Sequence, residues 1–252
     1  MNQPGMPAPN QSTPTPPPPA YSVRISQPQN RPVVTYIIMG ITVLIFLLQM
    51  LSTYVVGFDL PAAYGAMQRR FILGGQYWRL ITPVLLHANL IHIGFNLYAI
   101  YVIGPGLEMY YGHGRFLALY LLGGFAGNVT SFILSAPNTA SLGASTAIFA
   151  LLAAQGIFIY QNRRLYGQRT RGLLTNIIGI AVINLALGFS LPSAVDNWGH
   201  LGGLIGGLLF AFLAGPIYEI QGAVPELRLE DTREGVVVQL AFLGVFVLFA
   251  AL

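Results

Sequence analysis

Residues Val33 to Val56 read VVTYIIMGITVLIFLLQMLSTYVV, a run with no Asp, Glu, Lys or Arg. A bilayer's hydrocarbon core is about 30 Å thick and an α-helix rises about 1.5 Å per residue, so roughly 20 apolar residues cross it. The run is long enough to be a membrane-spanning helix. Working outward, the same ruler finds further spans at 82–103, 115–135, 143–161, 172–191, 198–217 and 236–252. Closed β-barrels also satisfy the backbone inside a membrane, but they need period-two alternation, and these runs are continuous. The expected fold is an all-α membrane protein, a polytopic helix bundle.

Composition points the same way. The chain is 54% apolar and 8% charged, with a mean hydropathy of +0.64. A soluble domain carries about 25% charged residues, so this chain lacks the charge to cover a soluble surface. Cysteine is absent, which excludes a disulfide framework, a zinc–thiolate site and a thiol nucleophile. Every basic residue is Arg, and the sequence pI near 9.5 reads as membrane topology, with no nucleic-acid partner expected.

The arginines orient the bundle. With the N-terminus inside, the cytoplasmic segments hold Arg24, Arg31, Arg115, Arg163, Arg164, Arg169, Arg171, Arg228 and Arg233, against Arg69, Arg70 and Arg79 outside. That bias favours a cytoplasmic N-terminus, and an odd number of spans then leaves the C-terminus outside. Together with the lack of a secretory signal, this fits a bacterial plasma membrane. Residues 1–32, with Pro14, Pro16, Pro17, Pro18 and Pro19, are expected to form a disordered cytoplasmic tail, either inert or a ligand for a proline-recognising partner. Residues 33–217 form a six-helix core. A polar linker at 218–235 precedes one added C-terminal transmembrane helix, 236–252. The outer loop 57–81 carries Phe58, Leu60, Tyr64, Phe71, Ile72, Tyr77 and Trp78 and is expected in the membrane interface.

Polar groups inside spans are costly and mark candidate sites. His87, His92, Ser145 and His200 all fall near outer helix ends. His92 and Asn96, four residues apart, share a helix face. They serve either interhelical hydrogen bonding or chemistry. Ser145 likewise reads two ways: small-residue packing in Gly143-Ala144-Ser145, or a nucleophile. Gly202/Gly206 and Gly203/Gly207 form overlapping GxxxG patterns beside His200 and permit close helix approach. If the neighbour is the Ser145 helix, His200 reaches the hydroxyl as its base, while His92, Asn96 and the Ser145 amide can serve an oxyanion. No carboxylate is an obvious third member: Asp196 lies four residues before His200, but it reads more readily as a helix-start residue at the outer surface.

Other hydrolytic chemistries fit poorly. A metalloprotease needs His-Glu-x-x-His, whereas the chain offers His87-Ala-Asn-Leu-Ile-His92, without Glu and with the wrong spacing. Aspartyl cleavage needs two Asp at membrane depth. Asp59, Asp196 and Asp231 are the only ones present, and at most one borders a span.

With these residues in hand, the chain resembles the rhomboid intramembrane serine proteases over residues 33–217. Trp78-Arg79 resembles the family's outer-loop Trp-Arg, and HANLIHIGFNL (His87–Leu97) its HxxxxHxxxN helix. GPGLEMYYGHGRFLALYLLGG (Gly104–Gly124) is similar to its Glu-bearing turn and third helix. GASTAIF (Gly143–Phe149) resembles GxSG, and GHLGGLIGG (Gly199–Gly207) resembles AHxxGxxxG. The resemblance implies a six-helix rhomboid-like core plus one helix, with no cofactor or metal. It implies a Ser145–His200 dyad, oxyanion donors in His92, Asn96 and the Ser145 amide, Phe149 stacked on His200, and Glu108 tying down the turn after the second span. Gly143, Gly203, Gly207, Trp78 and Arg79 support the site. Thr146 and Gly199 depart from the family's glycine and alanine, and the β-branched Thr146 is a candidate for crowding the serine.

Two functions follow from the resemblance. One is an endopeptidase acting on transmembrane helices of other proteins in the lipid bilayer. The other is a catalytically silent rhomboid-like protein that binds such helices. Relatives of the second kind lack the serine or the histidine, and this chain keeps both. A transporter is disfavoured because no inverted repeat is detectable.

Overall fold

A computed structural model describes residues 25–190 and 195–252. The proline run at 14–19 lies outside the described residues. In chain order the elements are β1 (Ile25–Ser26), α1 (Val33–Val56), α2 (Leu60–Gly65), β2 (Met67–Gln68) and α3 (Arg69–Leu73). Two 3₁₀ turns follow, Tyr77–Leu80 and Thr82–Leu85, then α4 (Leu90–Leu134), β3 (Ala140–Ser141), α5 (Ser145–Gln161) and α6 (Arg163–Tyr166). The chain ends with α7 (Thr170–Ser190), α8 (Asn197–Ala214), β4 (Tyr218–Ala223), β5 (Glu226–Asp231) and α9 (Gly235–Ala250). The molecule is a polytopic helical membrane protein.

The second and third expected spans are one helical stretch of 45 residues, broken at Gly112, whose φ of 73° lies outside helical space. Forty-five helical residues would run about 68 Å if straight, twice a bilayer core, so the Gly112 reversal turns one element into two crossings. The second span also starts later than its hydropathy implies. Pro83 has no amide hydrogen to donate, and Thr82–Leu85 closes as a 3₁₀ turn. The α-helix opens only at Leu90, after Asn89 accepts the His92 amide in a 2.9 Å N-cap.

Three helices make the centre. Phe116, Leu119, Tyr120 and Ala126 of α4 pack with Ala147, Ala150, Leu151 and Ala154 of α5 and Phe210, Ala211 and Ala214 of α8. The small side chains lie where the helices come closest: a Cβ on Gly123 would stand 2.1 Å from the Ala150 methyl. Around this centre, α1 buries one stripe only, Thr35, Ile38, Thr42, Phe46 and Gln49. The other faces of α1 expose Leu44, Leu47 and Leu51, as expected of a helix solvated by acyl chains.

Polar contacts fix both ends of α1. At its start, the fully buried Glu108 carboxylate accepts from the Val34 amide at 2.8 Å and the Thr35 amide at 2.7 Å. It also accepts from the Thr35 hydroxyl at 2.6 Å and faces His113 Nδ1 at 2.6 Å. Pro32 provides no side-chain cap there, so Glu108 satisfies the orphan donors from another helix. Glu108 thus links the start of α1 to the stretch around Gly112 and His113 that follows the second span.

Two small sheets close the loops. Met67 pairs with Ser141 and Gln68 with Ala140, antiparallel, tying the outer loop to the residues before α5. The stretch read as a polar linker is a hairpin of β4 and β5. β1 adds to β5 in parallel through Ile25–Leu227 and Ser26–Arg228, so the end of the N-terminal segment is paired rather than free. Asp231 anchors this sheet: it meets Arg115 at 2.5 Å and accepts from the Ile217 and Arg233 amides.

Candidate active site

Ser145 is the first residue of α5, and His200 sits one turn into α8. Their side chains meet, with Ser145 Oγ and His200 Nε2 2.8 Å apart. The reason is the glycine face of α8. A Cβ on Gly203 would stand 2.0 Å from the Thr146 carbonyl oxygen, and one on Gly207 2.4 Å from the Ala150 Cα. Backbone lies against backbone, so a short serine reaches a ring on the next helix. Phe149, one turn beyond Ser145, stacks on the imidazole with 4.4 Å between centroids and 18° between planes. Both rings are buried, which restricts the imidazole to one orientation.

A third group arrives from α4. Gly143 adopts φ 134°, and a Cβ there would lie 2.8 Å from both Cε1 and Nε2 of His92 and 3.6 Å from Ser145 Oγ. The His92 ring, the bare Gly143 backbone and the serine hydroxyl thus surround one spot. Asn96, one turn along, is buried, and its amide nitrogen donates to the His92 carbonyl at 3.0 Å. Ala144 gives α5 no side-chain cap, leaving first-turn N–H groups and the positive helix end beside Ser145. An imidazole nitrogen at 2.8 Å can take a serine's proton, and donors around the same spot can stabilise a negative oxygen.

Thr146 does not stand over the serine. Its side chain is buried between α4 and α8: a Cβ on Gly127 would lie 2.6 Å from Thr146 Cβ, and one on Gly199 3.0 Å from Thr146 Cγ2. The two departures from the expected motifs are therefore neighbours, and the threonine methyl fills room that an alanine at 199 would contest.

Glu108, Trp78 and Arg79 lie apart from this cluster. Glu108 is at the opposite end of α1, about 21 Å along the helix axis from the level of Gln49. Arg79 is buried in the outer loop, where its guanidinium donates to the Ala66 and Ala63 carbonyls at 2.7 Å each and to Gln76 Oε1 at 2.7 Å. Trp78 is half exposed and donates its indole N–H to the Tyr64 carbonyl at 2.9 Å. Both hold the loop whose β2 strand pairs with β3.

One contributor was missed in the sequence. Gln49 of α1 accepts the His87 amide at 3.0 Å and donates to the His87 carbonyl at 3.1 Å and to Asp59 at 2.7 Å. His87 in turn packs edge-on against His92 at 5.1 Å and receives a long 3.5 Å contact from the Ala144 amide. A glutamine inside a 24-residue apolar helix was the available signal.

A family profile described as the Rhomboid domain matches residues 74–217. The chain is similar to "Rhomboid protease GluP" of Bacillus subtilis (strain 168), 40% identical over 185 residues, covering 73% of this chain and 35% of that protein. It is also similar to "Putative rhomboid protease YdcA" of the same organism, 33% identical over 178 residues, covering 68% of this chain and 87% of that one. "Rhomboid-like protease 1" of Toxoplasma gondii is 35% identical over 160 residues, covering 61% of this chain and 54% of its own length. The chain thus spans about a third of the first relative and most of the second.

Proposed function

The chain belongs to the rhomboid family, and from that premise we propose that it is an intramembrane serine endopeptidase. It hydrolyses peptide bonds in or near transmembrane helices of other membrane proteins. The observation that carries this reading is the 2.8 Å contact between Ser145 Oγ and His200 Nε2.

In the proposed reaction, His200 Nε2 takes the Ser145 proton as the oxygen attacks the scissile carbonyl. The Ser145 amide, the His92 ring and the Asn96 amide stabilise the resulting oxyanion. His200 then gives its proton to the leaving nitrogen, and the acyl chain stays on Ser145. Water, deprotonated by the same ring, attacks the acyl carbon; the ester bond to Ser145 breaks, His200 returns the proton to Oγ and the new carboxyl end leaves. Phe149 keeps the imidazole in register. An intact substrate helix hides its carbonyls in hydrogen bonds, so substrates need a segment that unwinds easily near the outer face, with small residues at the cut.

The catalytic unit in this reading is 33–217, with 1–32, 218–235 and 236–252 as appendages. Arginine placement supports a cytoplasmic N-terminus, an outer C-terminus and a bacterial plasma membrane.

The test is cleavage of a reporter with a Gly/Ala-containing transmembrane segment in proteoliposomes, with products sized by mass spectrometry. Wild type cleaves near the outer face, and Ser145→Ala and His200→Ala each abolish cleavage. A wild type that cuts no reporter and ignores a fluorophosphonate probe points instead to a silent helix-binding protein. Cleavage that survives Ser145→Ala removes Ser145 as nucleophile.

A further inference from the structure

We infer that Asp196 is a positioning residue for this reaction, its carboxylate acting through space to stabilise the positive charge the His200 ring acquires when it takes the Ser145 proton; this rests on the protease reading above. Asp196 is the N-cap of α8, and its Oδ1 accepts the Gly199 amide at 2.9 Å. Its main-chain oxygen accepts the His200 amide at 3.0 Å, so acid and imidazole stand four residues apart, one helical turn from each other.

Capping explains only half of this side chain. One oxygen makes the cap, and Asn or Ser would make it equally well. The other, Asp196 Oδ2, is buried without a hydrogen-bond partner among the described residues, and so is His200 Nδ1. A desolvated carboxylate oxygen is costly unless a positive charge forms near it. The proposed reaction forms one each time His200 takes the serine proton. Asp196 itself takes no proton: the hydrogen passes from Ser145 Oγ to His200 Nε2 and onward to the leaving nitrogen.

The other groups around the ring all work against that charge or leave it alone. His200 lies in the first turn of α8, where the positive helix end disfavours an imidazolium. Among the described residues, the ionisable groups beside this spot are Asp196, one turn earlier at the start of the same helix, and His92 of α4, whose ring shares the Gly143 pocket with Ser145, with His87 packed behind it. α5 contributes the Ser145 hydroxyl and the Phe149 ring, both uncharged. α7 meets the start of α8 through the Leu185 carbonyl and Gly188, and α9 meets it farther along, where Phe249 approaches Gly206. Among the described residues Asp196 is thus the one carboxylate placed to offset the helix end. Gly199 gives it room, since a methyl group there would stand 2.7 Å from Oδ2.

The test uses the full chain in proteoliposomes with the reporter above, comparing wild type with Asp196→Asn, Asp196→Ser and Asp196→Glu. Asn and Ser keep the cap and remove the charge. Both are expected to lower kcat about tenfold while KM stays within about twofold. Both also move the acid limb of the pH–rate profile toward lower pH, because a base stripped of its carboxylate holds its proton less well. Glu recovers part of the rate. Unchanged kcat and an unmoved acid limb in Asn and Ser, beside an active wild type, overturn this inference alone. So does loss of monodispersity in both, which would assign the charge to stability. A wild type that neither cleaves nor labels with fluorophosphonate overturns the protease reading, and this inference with it.

Discussion

Gly203 and Thr146 meet main chain to main chain: a single methyl group on Gly203 would sit 2.0 Å from the Thr146 carbonyl oxygen. That contact, one residue past Ser145 and three past His200, sets the distance at which a serine and an imidazole on different helices can share a hydrogen.

Gly203→Ala and Gly207→Ala are therefore expected to push α5 and α8 apart. Each should destabilise the bundle by about 2–3 kcal/mol and reduce reporter cleavage at least tenfold. Gly179→Ala in α7, whose added Cβ meets nothing within 4 Å, is the control and should leave cleavage unchanged and stability equal or slightly higher. Thermal unfolding in detergent and the cleavage assay, run on the same preparations, check this.

Thr146 and Gly199 should behave as a coupled pair. Gly199→Ala alone brings a methyl within 3.0 Å of Thr146 Cγ2, and Thr146→Gly alone leaves a gap against Gly127 and Gly199. The double substitution removes the threonine methyl and supplies the alanine one. A double-mutant cycle on unfolding free energy is expected to give a favourable coupling of about 1 kcal/mol or more. Strict additivity would mean that the two sites do not contest the same volume.

Gln49→Leu removes both hydrogen bonds to the His87 main chain from α1, a helix that carries neither Ser145 nor His200. The stranded amide and carbonyl should cost about 2–3 kcal/mol. The His92 ring, which packs on His87, should lose its fixed position. Cleavage is expected to fall through kcat more than through KM. A variant as stable and as active as wild type would show that this support is dispensable.

Glu108→Gln tests the far end of α1. Its carboxylate accepts from two amides and a hydroxyl, and an amide replaces charge-assisted bonds with weaker ones and turns a donor toward donors. A loss of about 2–3 kcal/mol is expected, with kcat per folded molecule within twofold of wild type. Lower kcat at equal stability would place Glu108 in the reaction rather than in the frame.

The sequence alone determined the class of fold, because span length and continuous apolarity are local properties set by bilayer thickness. It also singled out Ser145, His200 and His92, because an ionisable or polar side chain inside an apolar run stands out without knowledge of its neighbours, whereas Phe149 was named only through the family resemblance. Other features were decided only in three dimensions. Residues 82–89 are as apolar as a span, yet Pro83 and the Asn89 cap hold them outside the helix. Residues 218–231 are polar enough for a linker, yet they pair into a hairpin whose third strand comes from Ile25–Ser26. The first is a matter of local backbone chemistry that hydropathy does not register, and the second brings together residues about two hundred positions apart, which leaves no periodic trace. The meeting of Ser145 with His200 is of the same kind. Spacing along the chain says that each lies near an outer helix end, but only glycine-to-backbone contact between α5 and α8 brings Oγ and Nε2 to 2.8 Å.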